Sequence, residues 1–215
     1  MTTRRTGLRE QKKQATRVAL REAALRLALE RGPDAVRVED IAEAAGVSPR
    51  TYNNYFSSRE HAIVAAVTAE RESRVAAAVA SGPAHVRLAD ALTEAVLDQH
   101  IAPRDPGELL LITGSPALRA AYLDTAAAIE DPLTAAIGRR LGDTDTLTAR
   151  VLAASVAAAV RTALQQWIQP PGAPHPTGGF VVPSGSLPDL LRSALAALTP
   201  ALDAAEEQAR QHSRE

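Results

Sequence analysis

The chain has no cysteine in 215 residues. Disulfide bonds, thiolate metal ligands and a cysteine nucleophile are excluded together. The five histidines, at 61, 85, 100, 175 and 212, are scattered. There is no His-Glu-x-x-His, no glycine-rich phosphate loop and no Gly-x-Ser-x-Gly, so neither an enzyme nor a metal or cofactor is expected. No alternating strand pattern is present, which predicts an all-α fold. No apolar run reads as long enough to span a bilayer, and the basic start Met-Thr-Thr-Arg-Arg lacks the apolar segment of a secretory signal. The expected location is the cytoplasm. Lysine occurs only at 12 and 13 and alanine abounds, a bias in keeping with a GC-rich bacterial genome.

A hydrophobic content of 46% supports one large or two modest domains with cores of their own. The net charge of −1 conceals an asymmetry: residues 1–60 carry 12 Lys and Arg against 8 acids, and the remainder 12 against 17. The positive end is also where the few aromatic residues collect. Tyr52, Tyr55 and Phe56 are three of only six, and are expected to anchor a small core there.

Around them, residues 38–60 read as two short helices joined by a tight turn. Val38, Ile41, Ala42 and Ala45 recur at helical spacing, and Gly46 follows where a chain leaving a helix favours a left-handed backbone. Val47 packs beneath the turn, Ser48 offers an N-cap oxygen, and Pro49 takes the first helical position, where a missing N–H costs nothing. The second helix is expected to run through Phe56, with Ser57 and Glu60 forming a capping box that opens the next. Pro49, Arg50, Thr51, Asn53 and Asn54 then lie along its exposed N-terminal part, the part that enters the major groove in helix-turn-helix proteins. Arg can bond two acceptors of guanine, Asn can pair with adenine, and Thr offers a methyl and a hydroxyl. A solvated polar face on a helical hairpin is the plain alternative.

Ala23-Ala24-Leu25-Arg26-Leu27, Glu30-Arg31-Gly32, Val38-Glu39-Asp40-Ile41-Ala42, Ala45-Gly46-Val47-Ser48, Thr51, Tyr55-Phe56 and Ser58-Arg59-Glu60 resemble, over about residues 15–65, the DNA-binding domain of the tetracycline-repressor (TetR) family of bacterial regulators. The resemblance implies that Ser48, Pro49, Arg50, Thr51 and Asn54 face the groove while Tyr55 and Arg59 hold phosphates. Three positions depart from the pattern. Asn53 stands where the family usually has an aromatic, implying an altered contact, a base among the options. Arg37 stands where a Thr often caps the first helix, implying a phosphate contact or a solvent role. Ala28 replaces a commonly larger residue. The second helix is also similar to a branch associated with acyl-CoA-like ligands.

Arg4, Arg5, Arg9, Lys12, Lys13 and Arg17 face a single acid, Glu10, within residues 2–17. Such an arm is drawn to phosphates without regard to sequence, with Arg5, Lys12 and Arg17 the chosen contacts; a solubilising tail is the alternative. The expected organisation is a basic arm over 1–14, a helix-turn-helix domain over 15–60, and a helical effector-binding and dimerisation domain over 61–215. Helices are expected at about 11–31 and 58–80, then at 84–101, 105–113, 116–141 with a kink at Pro132, 145–169 and 187–210. Pro170, Pro171, Pro174, Pro176, Pro183 and Pro188 punctuate a long loop over 169–188, readable as a surface excursion, a lid or a clasp on a partner.

Residues 151–160 are apolar nearly all round, and Leu187, Leu190, Leu191, Leu195 and Leu198 make a second stripe. The family pairs its last two long helices across a dimer, so a homodimer through the helices near 145–169 and 187–210 is expected, reading a roughly palindromic double-stranded DNA operator. Leu92, Val96, Leu110, Leu111, Tyr122, Ile129, Leu164 and Trp167 are candidates to line an effector pocket, with His100 and Arg104 orienting a polar end. Few charges face inward by pattern, so a small, mainly apolar effector is expected. The function so read is a repressor released from its operator by that effector. The rival is a protein of the same fold that binds protein or sequesters ligand and does not read DNA.

Overall fold

The computed structural model describes residues 2–68, 71–83, 85–101, 106–142, 146–168 and 185–212, backbone alone for 2–8, 10, 72–73, 101 and 106. The fold is all-α. In chain order come α1 (Thr2–Arg31), α2 (Val38–Ala44), α3 (Pro49–Tyr52), α4 (Arg59–Thr68), α5 (Arg71–Ser81) and α6 (Leu88–Ile101). There follow α7 (Pro106–Gly114), α8 (Pro116–Asp124), α9 (Glu130–Arg140), α10 (Thr146–Ile168), α11 (Leu187–Ala196) and α12 (Thr199–His212). Contacts divide the chain into two compact units, residues 1–69 with 104–122 and residues 70–103 with 123–215.

In the first unit α1 buries Leu20, Ala23, Ala24, Leu27 and Ala28, and α4 packs on it with Ala62, Ile63 and Val64 buried. That packing carries the unit beyond residue 60, and α7 also touches α1. The first helix begins well before the expected Gln11: its backbone is helical from Thr2, where an arm was expected. Arg, Leu, Glu, Gln and Lys, all good helix formers, extend it. It stops at Gly32, whose φ of +80° suits glycine alone.

In the second unit α10 is the core helix, burying among others Leu152, Val156, Val160 and Leu164 and packing against α9 and α11. By length and composition alone, Thr146–Ile168 is apolar enough to cross a membrane, contrary to the expectation of no such run. Its buried residues instead meet neighbouring helices, as a core helix does.

Two other expected helices are each divided. The stretch expected to run 116–141 passes through a 3₁₀ turn at Thr125–Ile129 before α9 begins. Pro132 lacks an N–H and its ring crowds the carbonyl four residues back, so the tighter pattern intervenes. Likewise the helix expected over 187–210 is α11 and α12, because Pro200 cannot donate to Ala196 and the bonding restarts from Leu198, which accepts from Ala201 and Leu202. Most of the proline loop, residues 169–184, lies outside the described residues.

A polar clasp joins distant parts of this unit. Arg140 on α9 donates to the carbonyls of Gly82 (3.1 Å), Pro83 (3.4 Å) and Val86 (2.6 Å) and pairs with Glu206 of α12 at 3.6 Å. Glu206 accepts from the Leu88 N–H at the start of α6 (3.2 Å) and pairs with Arg210 (3.3 Å).

Candidate nucleic-acid interface

The turn between α2 and α3 closes with both bonds of a Schellman motif: Val47 N–H to Ala42 carbonyl (2.9 Å) and Gly46 N–H to Glu43 carbonyl (3.0 Å). Gly46 sits at φ +70°. Ser48 then caps α3, its Oγ accepting from the Thr51 N–H (3.1 Å) and meeting the Thr51 hydroxyl (2.9 Å). The Thr51 hydroxyl is thereby held against the cap.

α3 ends at Tyr52, short of the expected Phe56, with the Asn53 N–H still donating to the Pro49 carbonyl. Asn54 and Tyr55 donate to carbonyls three residues back, a tightened turn in keeping with the poor helix propensity of Asn-Asn. Tyr52 is fully buried, its hydroxyl donating to the Ser58 carbonyl (2.7 Å) and its ring 5.9 Å from that of Phe56. Burial, and then the charge of Glu60, push the Tyr52 pKa well above the ordinary tyrosine value.

Anchored from beneath in this way, α3 and its turn present Ser48, Pro49, Arg50, Asn53 and Asn54 to solvent, with Thr51 and Tyr55 half-buried. Arg37, Lys12 and Arg17 are exposed too, while the Arg5 side chain lies outside the described residues. Arg37 precedes α2, and its N–H donates to Asp40 (3.1 Å). The Arg17 guanidinium lies over the Phe56 ring, 5.2 Å from its centre, which ties α1 to the end of this motif.

The next helix is capped differently from expectation. Ser58, not Ser57, accepts from the His61 N–H (3.2 Å), and both serine hydroxyls lie within 3.1 Å of His61 Nδ1. Glu60 is engaged by Arg59 (2.7 Å), and its carboxyl is held below the usual value. Burial works against that shift, and hydrogen bonds from Arg59, its own backbone and Ser58, with the charge of Arg59, outweigh it. Arg59 itself, expected at a phosphate, turns inward to the carbonyls of Asp34 (3.0 Å) and Val36 (2.8 Å).

Residues 20–66 match the family model described as bacterial regulatory proteins, tetR family, and residues 86–203, more than half the chain, match that of the MftR C-terminal domain. The chain belongs to the TetR family of bacterial regulators. It is 41% identical over 71 residues to the HTH-type transcriptional regulator TcmR of Streptomyces glaucescens, a match spanning 33% of this chain and 31% of that protein. Among solved structures, a putative TetR-family regulator from Rhodococcus sp. is 23% identical over 88% of this chain and 99% of its own, with a TM-score of 0.45. NalD, the secondary repressor of the MexAB-OprM multidrug efflux pump in Pseudomonas aeruginosa, is 18% identical over 89% and 97%, with a TM-score of 0.43. As a TetR-family regulator, the chain carries the family's DNA-binding helix-turn-helix in α2 and α3.

The residues expected to line an effector pocket do not all fall in one unit. Leu92, Val96, His100, Ile129 and Leu164 are buried in the second unit and Trp167 is half-buried there. Leu110, Leu111 and Tyr122 cluster with the first. Leu110 is 56% exposed, contrary to its expected place in an apolar lining: helical spacing put it beside Leu111, but α7 turns it outward. His100 Nδ1 lies 2.7 Å from the Val96 carbonyl, so that nitrogen carries the proton and donates along its own helix. Arg104 lies outside the described residues.

Sequence reasoning passed over Arg119, buried on α8 and donating to the Thr113 carbonyl, with burial lowering its pKa from the ordinary value. No local pattern marks an arginine bound for the interior.

Proposed function

We propose that this TetR-family regulator is a homodimeric, cytoplasmic repressor that reads an approximately palindromic operator and is released by a small, mainly apolar effector, an acyl-CoA-like molecule being one class. The observation that carries the reading is the presentation of Pro49, Arg50, Asn53 and Asn54 outward from a short helix whose Tyr52 is wholly buried. Arg50 and Asn54 are suited to base edges, Asn53 to an altered contact, Tyr55 and Arg37 to phosphates, and Lys12 and Arg17 to backbone attraction from α1.

Dimerisation is supported by α10. Leu147 is 69% and Val151 55% exposed one turn apart, and the row continues through Ala158 and Thr162. Small side chains there let a second helix approach closely, and α11 offers Leu190, and the turn between α11 and α12 Leu198, both half-buried. Two heads then read half-sites about 34 Å apart. Effector binding acts by population shift, favouring a helix arrangement whose heads no longer match that spacing.

The test is selection of bound sequences from a random duplex pool by the purified protein. Enrichment of a palindrome is expected. A folded protein that enriches nothing overturns the reading in favour of a protein-binding or sequestering role.

A further inference from the structure

We propose that Arg59 is a positioning residue for DNA reading, setting the pose of the helix-turn-helix from behind instead of gripping a phosphate. The proposal rests on the DNA reading above and goes beyond it.

The guanidinium is committed on three sides. Nη1 donates to the Asp34 carbonyl (3.0 Å) and the Val36 carbonyl (2.8 Å), Nε donates to Glu60 (2.7 Å), and Nη2 lies 3.8 Å from the Asp34 carboxylate. The side chain is only 30% exposed. A phosphate at Nε or Nη1 would have to displace charge-assisted bonds already made.

What those bonds hold is the connector between α1 and α2, residues 32–37. Its own bonds are long, Ala35 N–H to Gly32 at 3.3 Å and Val36 N–H to Pro33 at 3.4 Å. The connector runs directly into Arg37 and α2, and α2 is joined to α3 by the Schellman turn. At the far end of the motif, the Tyr52 hydroxyl bonds the Ser58 carbonyl, and Ser58 caps α4. Entry to and exit from the helix-turn-helix are therefore pinned to the same turn, the first of α4, with Arg59 supplying the entry pin. A planar fork meets two carbonyls and a carboxylate at once; an ammonium on a flexible stem does not.

The experiment compares the full chain with Arg59→Lys and Arg59→Gln. Affinities are measured for a duplex enriched by wild type and for its scrambled version, across a salt series and well below each variant's melting temperature. Arg59→Lys keeps the charge, so its scrambled-duplex affinity and salt slope are expected to match wild type while its preference for the enriched duplex falls about tenfold. Arg59→Gln is expected to lose preference at least as strongly, again with an unchanged slope. A Lys variant with wild-type preference, together with a Gln variant weakened equally on both duplexes and a slope shallower by about one, returns Arg59 to the phosphates and overturns the clamp alone. A wild type that enriches no sequence overturns the DNA reading and this proposal with it.

Discussion

The helix-turn-helix and the second unit hold themselves together by opposite means. Residues 37–60 are short elements tied end to end by local polar bonds: Arg37 N–H to Asp40, Val47 N–H to Ala42, Thr51 N–H to Ser48, His61 N–H to Ser58. The second unit is a set of longer helices packed through aliphatic residues, with ion pairs such as Arg140 to Glu206 and Arg87 to Asp203 crossing the sequence. Helices of four and seven residues cannot sustain themselves on propensity, so every end needs a partner nearby. A 23-residue helix draws its stability from its buried face and leaves its ends to its surroundings.

That contrast can be broken at several points. The largest effect is expected at Tyr52, where the head's local bonds meet its small core. Tyr52→Ala should cost about 3–5 kcal/mol in denaturant unfolding and abolish DNA binding. A loss under about 1 kcal/mol would show that the head does not depend on this ring. Next is Glu206→Ala, which strips Arg140 of its carboxylate and Leu88 of its acceptor; about 3 kcal/mol is expected, with the head's DNA preference unchanged in the fraction that stays folded. Arg50→Ala should leave unfolding unchanged yet cost about 1–3 kcal/mol on the enriched duplex and relax one base position. Equal loss on all duplexes would demote Arg50 to a phosphate contact.

The smallest effect is a pH dependence. Because the Glu60 carboxyl is held below its ordinary value when folded, it contributes stability above the ordinary glutamate range and loses it as pH falls through the lowered value. Glu60→Gln should flatten the acid limb of the stability profile. An identical profile would mean that the Arg59 contact carries no net linkage.

Legibility followed the same divide. Gly46, Ser48 and Pro49 signal their roles by residue type and spacing, and the turn they predict is the turn observed. One position away the signal is degenerate: Ser57 and Ser58 are equally good caps on paper, and only the Tyr52 bond to the Ser58 carbonyl brings the latter into register. Pro132 signals a kink but not a 3₁₀ turn, and the leucine-rich stripe around Pro200 hides the break there. Leu110 and Tyr122, both apolar at helical spacing, part company, one 56% exposed and the other 1%.

By itself the sequence determined the all-α class, the position and chemistry of the helix-turn-helix, and the family. Caps, left-handed glycines and proline at a first helical turn act within a few residues, so they can be read without knowing the rest of the chain. Only the tertiary structure decided that Arg59 faces two carbonyls, that Arg140 meets Glu206, and that residues 104–122 cluster with the N-terminal unit. An arginine's fork has the same chemistry for a phosphate as for a buried carbonyl, and its partner is chosen by which backbone the packing of distant helices brings within reach.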